Sequence, residues 1–121
     1  MVVRSYSELK VWQKSMDLAV DVYTVIKKLP KEEQYVLSDQ IRRAVVSIPS
    51  NIAEGQQGNT TRDFIHFLYI ANGSLGELET QIQLCESLEY LDKRDTGRLL
   101  LQCSEIGKML NGLINKLKEN L

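Results

Sequence analysis

The chain has 121 residues, a length typical of one domain, and its 43% hydrophobic content is ordinary for a globular protein. Fifteen basic and 16 acidic residues leave a net charge of -1, which excludes a strongly basic nucleic-acid binder as judged on bulk charge. Two cysteines are too few for a disulfide framework, and no apolar run approaches the roughly 20 residues that span a bilayer. The start, Met1-Val2-Val3-Arg4-Ser5, lacks the apolar core of a signal peptide. We therefore expect a cytoplasmic protein.

The first helical segment opens with Ser5 and Glu8, which have the spacing of a capping box. Apolar residues then recur at alternating intervals of three and four, the repeat of a helix face that packs into a core. These residues are Leu9, Trp12, Met16, Ala19, Tyr23 and Ile26. We predict that they form the core-facing side of the first helix.

The same segment carries a second apolar stripe on the opposite side of the helix. Its members are Val11, Leu18, Val22, Val25 and Leu29. Single exposed aliphatic residues are common on protein surfaces, but five that align on one side of a helix indicate a contact surface. We therefore predict that this stripe is a subunit interface and that the protein is not a monomer.

The second and third segments each have one core-facing set. After Pro30, a suitable helix start, the second set consists of Leu37, Ile41, Ala44, Ile48 and Ile52. Glycines 55 and 58 end this helix. The third set consists of Phe64, Leu68, Ala71, Leu75, Leu78, Ile82 and Cys85. Gly73 and Gly76 lower the stability of a helix, so we expect another backbone to approach the third helix closely there.

The fourth segment begins at Asp92 or Asp95, either of which can cap a helix. Its core-facing residues are Leu99, Cys103, Ile106, Leu110, Leu113 and Leu117. Four helices of similar length with short connections predict an all-α protein, an antiparallel up-down-up-down four-helix bundle in which residues 1–121 form a single domain.

The residue types associated with catalysis are sparse. His66 projects away from the core-facing residues of its helix, and one histidine cannot build the histidine pairs of a di-iron bundle. Cys85 and Cys103 lie on core faces with no histidine beside them to activate a thiol. We therefore predict a non-enzymatic protein with no catalytic residues, metal or cofactor, and nothing in the sequence points to a small-molecule substrate.

The second helix carries a polar stripe opposite its apolar side. Its members are Arg43, Ser47, Ser50 and Glu54, with Asn51 at the edge. A solvated surface is one interpretation, but two serines and Pro49 are poor helix formers for such a surface. We predict that Arg43 and Glu54 are structural. About three helical turns separate them, so each needs a partner elsewhere in the bundle or across a subunit boundary.

Basic residues gather where, in an up-down bundle, the first and third helices begin and the fourth ends. These candidate nucleic-acid contacts are Arg4, Lys10, Lys14, Arg62, Lys116 and Lys118. Glu8, Asp63 and Glu119 dilute their charge, so a solvated rim is the alternative. Any nucleic-acid contacts should go mainly to phosphates, since no aromatic residues are interleaved for base stacking.

Five stretches of the sequence together form a specific pattern. They are Leu9-x-Val11-Trp12, Gln40-Ile41-Arg42-Arg43-Ala44, Ser47-Ile48-Pro49-Ser50-Asn51-Ile52-Ala53-Glu54-Gly55, Phe64-x-x-Phe67-Leu68-x-Ile70-Ala71-x-Gly73-Ser74-Leu75 and Glu77-Leu78-Glu79-Thr80-Gln81. This pattern resembles that of the four-helix-bundle proteins encoded in intervening sequences of bacterial 23S ribosomal RNA genes. This family carries a ribosomal-protein label and is similar to the accessory protein of diversity-generating retroelements. The family motif falls on Arg43, Asn51, Glu54 and Gly55, to which no catalytic role attaches.

The resemblance implies a small bacterial bundle that assembles as a ring, a homopentamer. The retroelement accessory protein is basic and binds nucleic acid and a reverse transcriptase, whereas this chain has a net charge of -1. Two functions follow. The first is an oligomeric bundle that binds RNA or a nucleic-acid-handling partner, and the alternative is a protein-binding scaffold with no nucleic-acid role.

Overall fold

A computed structural model describes residues 5–121 of the protein, and helices account for all of its regular structure in that range. The four long helices are α1 (Lys10–Val25), α2 (Leu37–Gln56), α3 (Thr61–Ser87) and α4 (Lys93–Lys118). Three single-turn 3-10 helices accompany them, at Tyr6–Glu8, Ile26–Lys28 and Lys31–Glu33. None of the helices in residues 5–121 combines the length and apolar character that a membrane crossing requires.

Side-chain caps begin two of the long helices. Thr60 accepts a hydrogen bond from the backbone N–H of Asp63 at 3.0 Å, and Asp92 accepts one from the N–H of Asp95 at 2.8 Å. Ser5 instead caps the first 3-10 turn by accepting from the N–H of Ser7, and α1 begins later, at Lys10. The capping pattern therefore marks the start of helical structure but not the first residue of α1.

The helices pack in sequence around a ring, α1 on α2, α2 on α3, α3 on α4 and α4 on α1, each antiparallel to its neighbours. Two ion pairs show the direction of packing between α1 and α4, because Lys14 pairs with Glu105 while Asp21, further along α1, pairs with Arg98. The up-down-up-down four-helix bundle is therefore confirmed.

The core-facing residues predicted for α2 are all buried, and those of α3 are buried except for half-buried Phe64. On α4 the prediction holds from Leu99 to Leu110, but Ile114 then takes the buried position while Leu113 and Leu117 lie half-buried. On α2, α3 and most of α4, a single apolar repeat predicts correctly which side faces inward.

The prediction of a subunit interface on α1 is wrong, because its residues do not lie on the surface of the chain. Its five residues are at most 8% exposed and belong to the core of the single chain. They are Val11, Leu18, Val22, Val25 and Leu29. These side chains are part of the one core cluster of the bundle, so they cannot also form a free contact surface.

The buried side of α1 was not recognised as the core-facing side because it contains a polar residue, Ser15. It is fully buried between Val11 and Leu18, and its hydroxyl donates to the carbonyl oxygen of Val11 at 2.7 Å. With Ser15 included, the stripe runs at intervals of 4, 3, 4, 3 and 4 without a break. A serine that satisfies its own hydroxyl within the helix can occupy a core position at small cost.

The glycine prediction also needs correction. A Cβ atom added at Gly73 or Gly76 would have no heavy atom within 4 Å, so no other backbone among residues 5–121 approaches α3 at these positions. The close approach is at Gly55 instead, where an added Cβ would lie 2.8 Å from Cβ of Phe67 and 3.0 Å from the ring of Phe64. Gly55 lets the end of α2 pack directly on the beginning of α3.

Candidate interaction surfaces

The side of α1 that the sequence assigned to the core faces outward for most of its length. Its large residues lie beside residues of α2, and together they make a continuous surface that we call the outer apolar face. This face consists of Trp12, Met16, Ala19, Tyr23, Val46, Pro49 and Ala53. The two helices leave a shallow groove of about 350 Å³ between them, and the ring of Tyr6 packs edge-on against Trp12 at one end of it.

Several side chains on this face remain partly accessible in the single chain. Met16, Tyr23 and Val46 each keep about two-fifths of their surface exposed. Smaller aliphatic residues fill the interior on the other side of α1. A contiguous apolar surface of this kind is typical of a protein–protein contact.

One residue of the polar stripe of α2, Ser47, is hydrogen-bonded to α3. The hydroxyl groups of Ser47 and Ser74 are hydrogen-bonded at 2.8 Å across the two helices. The amide of Asn51 donates both to the carbonyl oxygen and to the hydroxyl of Ser47, at 2.8 and 2.9 Å. Together with Gly55, Asn51 therefore has a structural place in the α2–α3 contact.

The two charged residues of this stripe have different surroundings. Arg43 donates through Nε to Asp39, one turn earlier in the same helix, at 3.1 Å. Glu54 is exposed and has no ion-pair partner among residues 5–121, and Ser50 is exposed beside the groove of the outer apolar face. The structure therefore gives Arg43 a partner within α2, and a partner for Glu54 across a subunit boundary stays a prediction.

Five of the six candidate nucleic-acid contacts lie at the end of the bundle where α1 and α3 begin and α4 ends; Arg4 lies outside the described residues. Lys14 forms an ion pair with Glu105 at 3.1 Å, and the ammonium of Lys118 lies 5.3 Å from the centre of the Tyr69 ring. The other three are exposed and have no carboxylate partner in residues 5–121; they are Lys10, Arg62 and Lys116.

An ionic network joins α1 and α4 toward the opposite end. Arg98 donates to both carboxylate oxygens of Asp21, at 3.0 and 3.2 Å, and to Asp95 at 3.1 Å. Lys28 also pairs with Asp95, and Gln102 donates to Asp21 at 2.7 Å. Hydrogen bonds from Arg98 and Gln102 lower the pKa of Asp21, and those from Lys28 and Arg98 lower the pKa of Asp95. Lys28 and Arg98 are therefore paired with carboxylates of the same chain.

The groups that could carry covalent chemistry are placed unfavourably for it. Cys85 and Cys103 are completely buried, and burial raises their pKa to about 11 and about 12, which keeps both thiols protonated near neutrality. His66 is exposed, with its ring against Phe67. Within residues 5–121, no three histidine, cysteine, aspartate or glutamate side chains are grouped so that they could hold a metal ion.

Fold and surface together define a small all-α bundle whose conspicuous feature is an apolar surface rather than a pocket of reactive groups. The chain belongs to the 23S rRNA-intervening sequence protein family, whose model matches residues 7–112. A crystal structure of a protein of unknown function from Bacteroides thetaiotaomicron, assigned to the S23 ribosomal protein family, is 33% identical and superimposes with a TM-score of 0.80. The match covers 87% of this chain and 95% of that one. No curated protein matches the chain.

Proposed function

We propose that this protein is a non-enzymatic helical bundle that assembles with copies of itself and, as an assembly, binds RNA or a nucleic-acid-handling partner. The observation that carries the assembly is the outer apolar face on α1 and α2. In a ring of identical subunits each contact joins two different surfaces, so this face would pack on another part of the next subunit. A homopentamer is the ring that the family resemblance implies.

Replacing Met16 and Tyr23 together by glutamate tests the assembly. Both side chains are partly exposed in the single chain, so the double variant should fold, whereas two carboxylates in a dry contact would be strongly unfavourable. We expect light scattering to give a multiple of 13.8 kDa for the natural protein and the monomer mass for the variant, with unchanged helical circular dichroism.

Leu101→Glu is the matched control, because Leu101 is 72% exposed on α4, away from the outer apolar face. The control should assemble like the natural protein. A natural protein that is monomeric at tens of micromolar would refute the assembly, and equal dissociation of the control would refute the specific role of the outer apolar face.

Binding of RNA is supported by the exposed basic residues at the end where α1 and α3 begin. Lys10, Arg62 and Lys116 lack carboxylate partners in residues 5–121, and a ring would repeat them around one rim. Repetition raises overall affinity even when each subunit contributes only a few phosphate contacts. Because phosphate contacts release counterions, affinity should fall steeply with added salt.

Filter binding with structured RNA and duplex DNA at low salt tests this function. The triple variant Lys10→Glu, Arg62→Glu, Lys116→Glu should weaken retention and flatten the salt dependence by about 0.7 to 0.9 in slope for each lost phosphate contact. Lys93→Glu with Arg94→Glu, at the opposite end, should have little effect. If neither nucleic acid is retained at tens of micromolar protein, the function that remains is a protein-binding scaffold, supported by the same outer apolar face.

A further inference from the structure

We propose that the elbow between α1 and α2 binds a small organic phosphate, with its phosphate group held by three basic side chains and a planar apolar body against the floor of the site. The elbow, residues 26–36, forms a half-open cavity of about 390 Å³ together with side chains of α1 and α2, and this volume is within the size range of small-ligand sites. It lies at the opposite end of the bundle from Lys10, Arg62 and Lys116, and it is independent of the proposed RNA contact.

The floor of the elbow cavity is apolar and well packed. It includes Ile26 and Leu29, which are less than 9% exposed, together with Pro30 and the ring of Tyr23. Ser38 is also buried there and contributes a hydroxyl group to an otherwise apolar wall. Such a surface fits a flat apolar group and leaves one hydroxyl to contact a polar edge.

The remaining walls carry positive charge. Lys27, Lys31 and Arg42 line the cavity, and none of the nine lining residues is acidic. Neither lysine has a carboxylate partner among residues 5–121. Asp39 reaches Arg42 only at 3.9 Å and bonds more closely to Arg43, at 3.1 Å. Three basic side chains around one small cavity suit a dianionic phosphate better than a singly charged carboxylate.

Acidic residues of the same loop are directed elsewhere or lie outside the cavity lining. Glu33 accepts a hydrogen bond from the hydroxyl of Tyr90 at 2.8 Å and one from the backbone N–H of Leu37 at 3.4 Å. Its carboxylate therefore holds the loop against the α3–α4 turn. Glu32 is exposed and does not line the cavity.

The site is built before any ligand arrives. Two 3-10 turns on either side of Pro30 fix the loop through backbone bonds from Leu29 to Ile26 and from Glu33 to Pro30, at 3.1 and 3.0 Å. The guanidinium of Arg42 is anchored by donating to the carbonyl oxygen of Gln34 at 2.8 Å, which leaves its other N–H groups available. Preorganisation of this kind lowers the entropy lost on binding.

Calorimetric titration of the full chain with phenyl phosphate at low salt tests the proposal. Inorganic phosphate supplies the anion alone and benzyl alcohol the ring alone. We expect phenyl phosphate to bind about tenfold more tightly than inorganic phosphate, because its ring covers the apolar floor. Benzyl alcohol should bind more weakly than phenyl phosphate, since it lacks the charge.

Two variants locate the site. Arg42→Gln and Lys31→Glu should each weaken phenyl phosphate binding by about threefold or more. Lys31 lies on an exposed turn without an ion pair in residues 5–121, so its variant keeps the proposal testable if Arg42→Gln unfolds. The matched control is Arg43→Gln, next to Arg42 but outside the cavity lining, and it should bind normally.

Tyr23 lines the elbow cavity and also belongs to the outer apolar face, so each variant is examined by sedimentation as well as by titration. Because neither Lys31 nor Arg42 belongs to that face, a variant that still assembles but loses phenyl phosphate binding reports on this site and not on assembly. The proposal is overturned if phenyl phosphate binds no more tightly than inorganic phosphate. Equal losses for Arg42→Gln and Arg43→Gln would overturn it as well.

Discussion

Gly55 shows how one missing side chain controls the contact of two helices. We expect Gly55→Ala to destabilise the protein by about 1 to 3 kcal/mol, because the new Cβ would lie 2.8 Å from Cβ of Phe67 and force α2 and α3 apart. Chemical denaturation followed by circular dichroism measures the change.

Gly73→Ala is the control for this substitution. Gly73 lies inside α3 with open space around it, so alanine should stabilise the helix by roughly 0.5 to 1 kcal/mol. If both variants gain stability, the α2–α3 contact at Gly55 is not as tight as described.

Gln81 is a second residue at which a substitution should change the stability of the protein, because its side chain is buried. It is 7% exposed, and its Oε1 atom is buried without a hydrogen-bond partner in residues 5–121. Gln81→Met keeps the unbranched shape and removes the unsatisfied oxygen, so we expect a gain of about 1 kcal/mol in the free energy of unfolding. Gln83→Met, on the exposed side of α3, should change stability by less, and a loss at position 81 would contradict the prediction.

Helix α1 has two apolar sides, one of which is buried in the core of the bundle while the other belongs to the outer apolar face. Leu18 is completely buried, so Leu18→Asp should unfold the bundle at a cost of several kcal/mol. If Leu18 instead lay in a subunit contact, the same substitution would leave a folded monomer. Val20→Asp, two residues along α1 at a position 67% exposed, should keep the fold. Helical circular dichroism and thermal melting compare the two variants, and a folded, monomeric Leu18→Asp variant would contradict this view of α1.

The α1–α4 network links the stability of the bundle to pH. Asp21 and Asp95 have a pKa below the ordinary 3.8 in the folded state, so their ionised forms favour folding above about pH 4. This contribution is lost as pH falls below 3.8 through their folded-state pKa values. Removing the cation in Arg98→Met should reduce stability most near neutral pH and progressively less below pH 4.

Urea denaturation between pH 7 and pH 2 measures this dependence. Arg94→Met is the control, because Arg94 is exposed on α4 and has no ion pair within residues 5–121. A difference between Arg98→Met and the natural protein that stays constant with pH would contradict the role of the two aspartates.

At the scale of the whole molecule, assembly and stability should be coupled. If copies associate only when folded, the melting temperature rises with protein concentration by mass action. We expect an increase of several degrees over a hundredfold concentration range for the natural protein. The Met16→Glu, Tyr23→Glu variant should melt at a constant temperature, and the same constancy in the natural protein would contradict coupled assembly.

Apolar periodicity and turn signals were sufficient to predict the number of helices, their order and the inward sides of α2, α3 and most of α4. On these helices a single apolar repeat marks one side, as from Leu37 to Ile52, and burying that side is the dominant favourable term in folding. The family motif falls on Asn51 and Gly55, but it predicted neither the α2–α3 contact nor the groups that these two residues touch.

The inward side of α1 could not be predicted from periodicity and depends on how the four helices pack together. Both sides have a helical apolar repeat, and periodicity gives the direction of a stripe on its own helix but not its direction in the bundle. Leu18, Val22 and Ser15 are buried in the interior, and the Ser15 hydroxyl is hydrogen-bonded within α1. Trp12 and Tyr23 lie at the surface. The surroundings of the charged side chains could not be predicted either. Arg98 forms ion pairs within the chain while Arg42 lines a cavity, because ion pairing depends on residues far apart in the sequence.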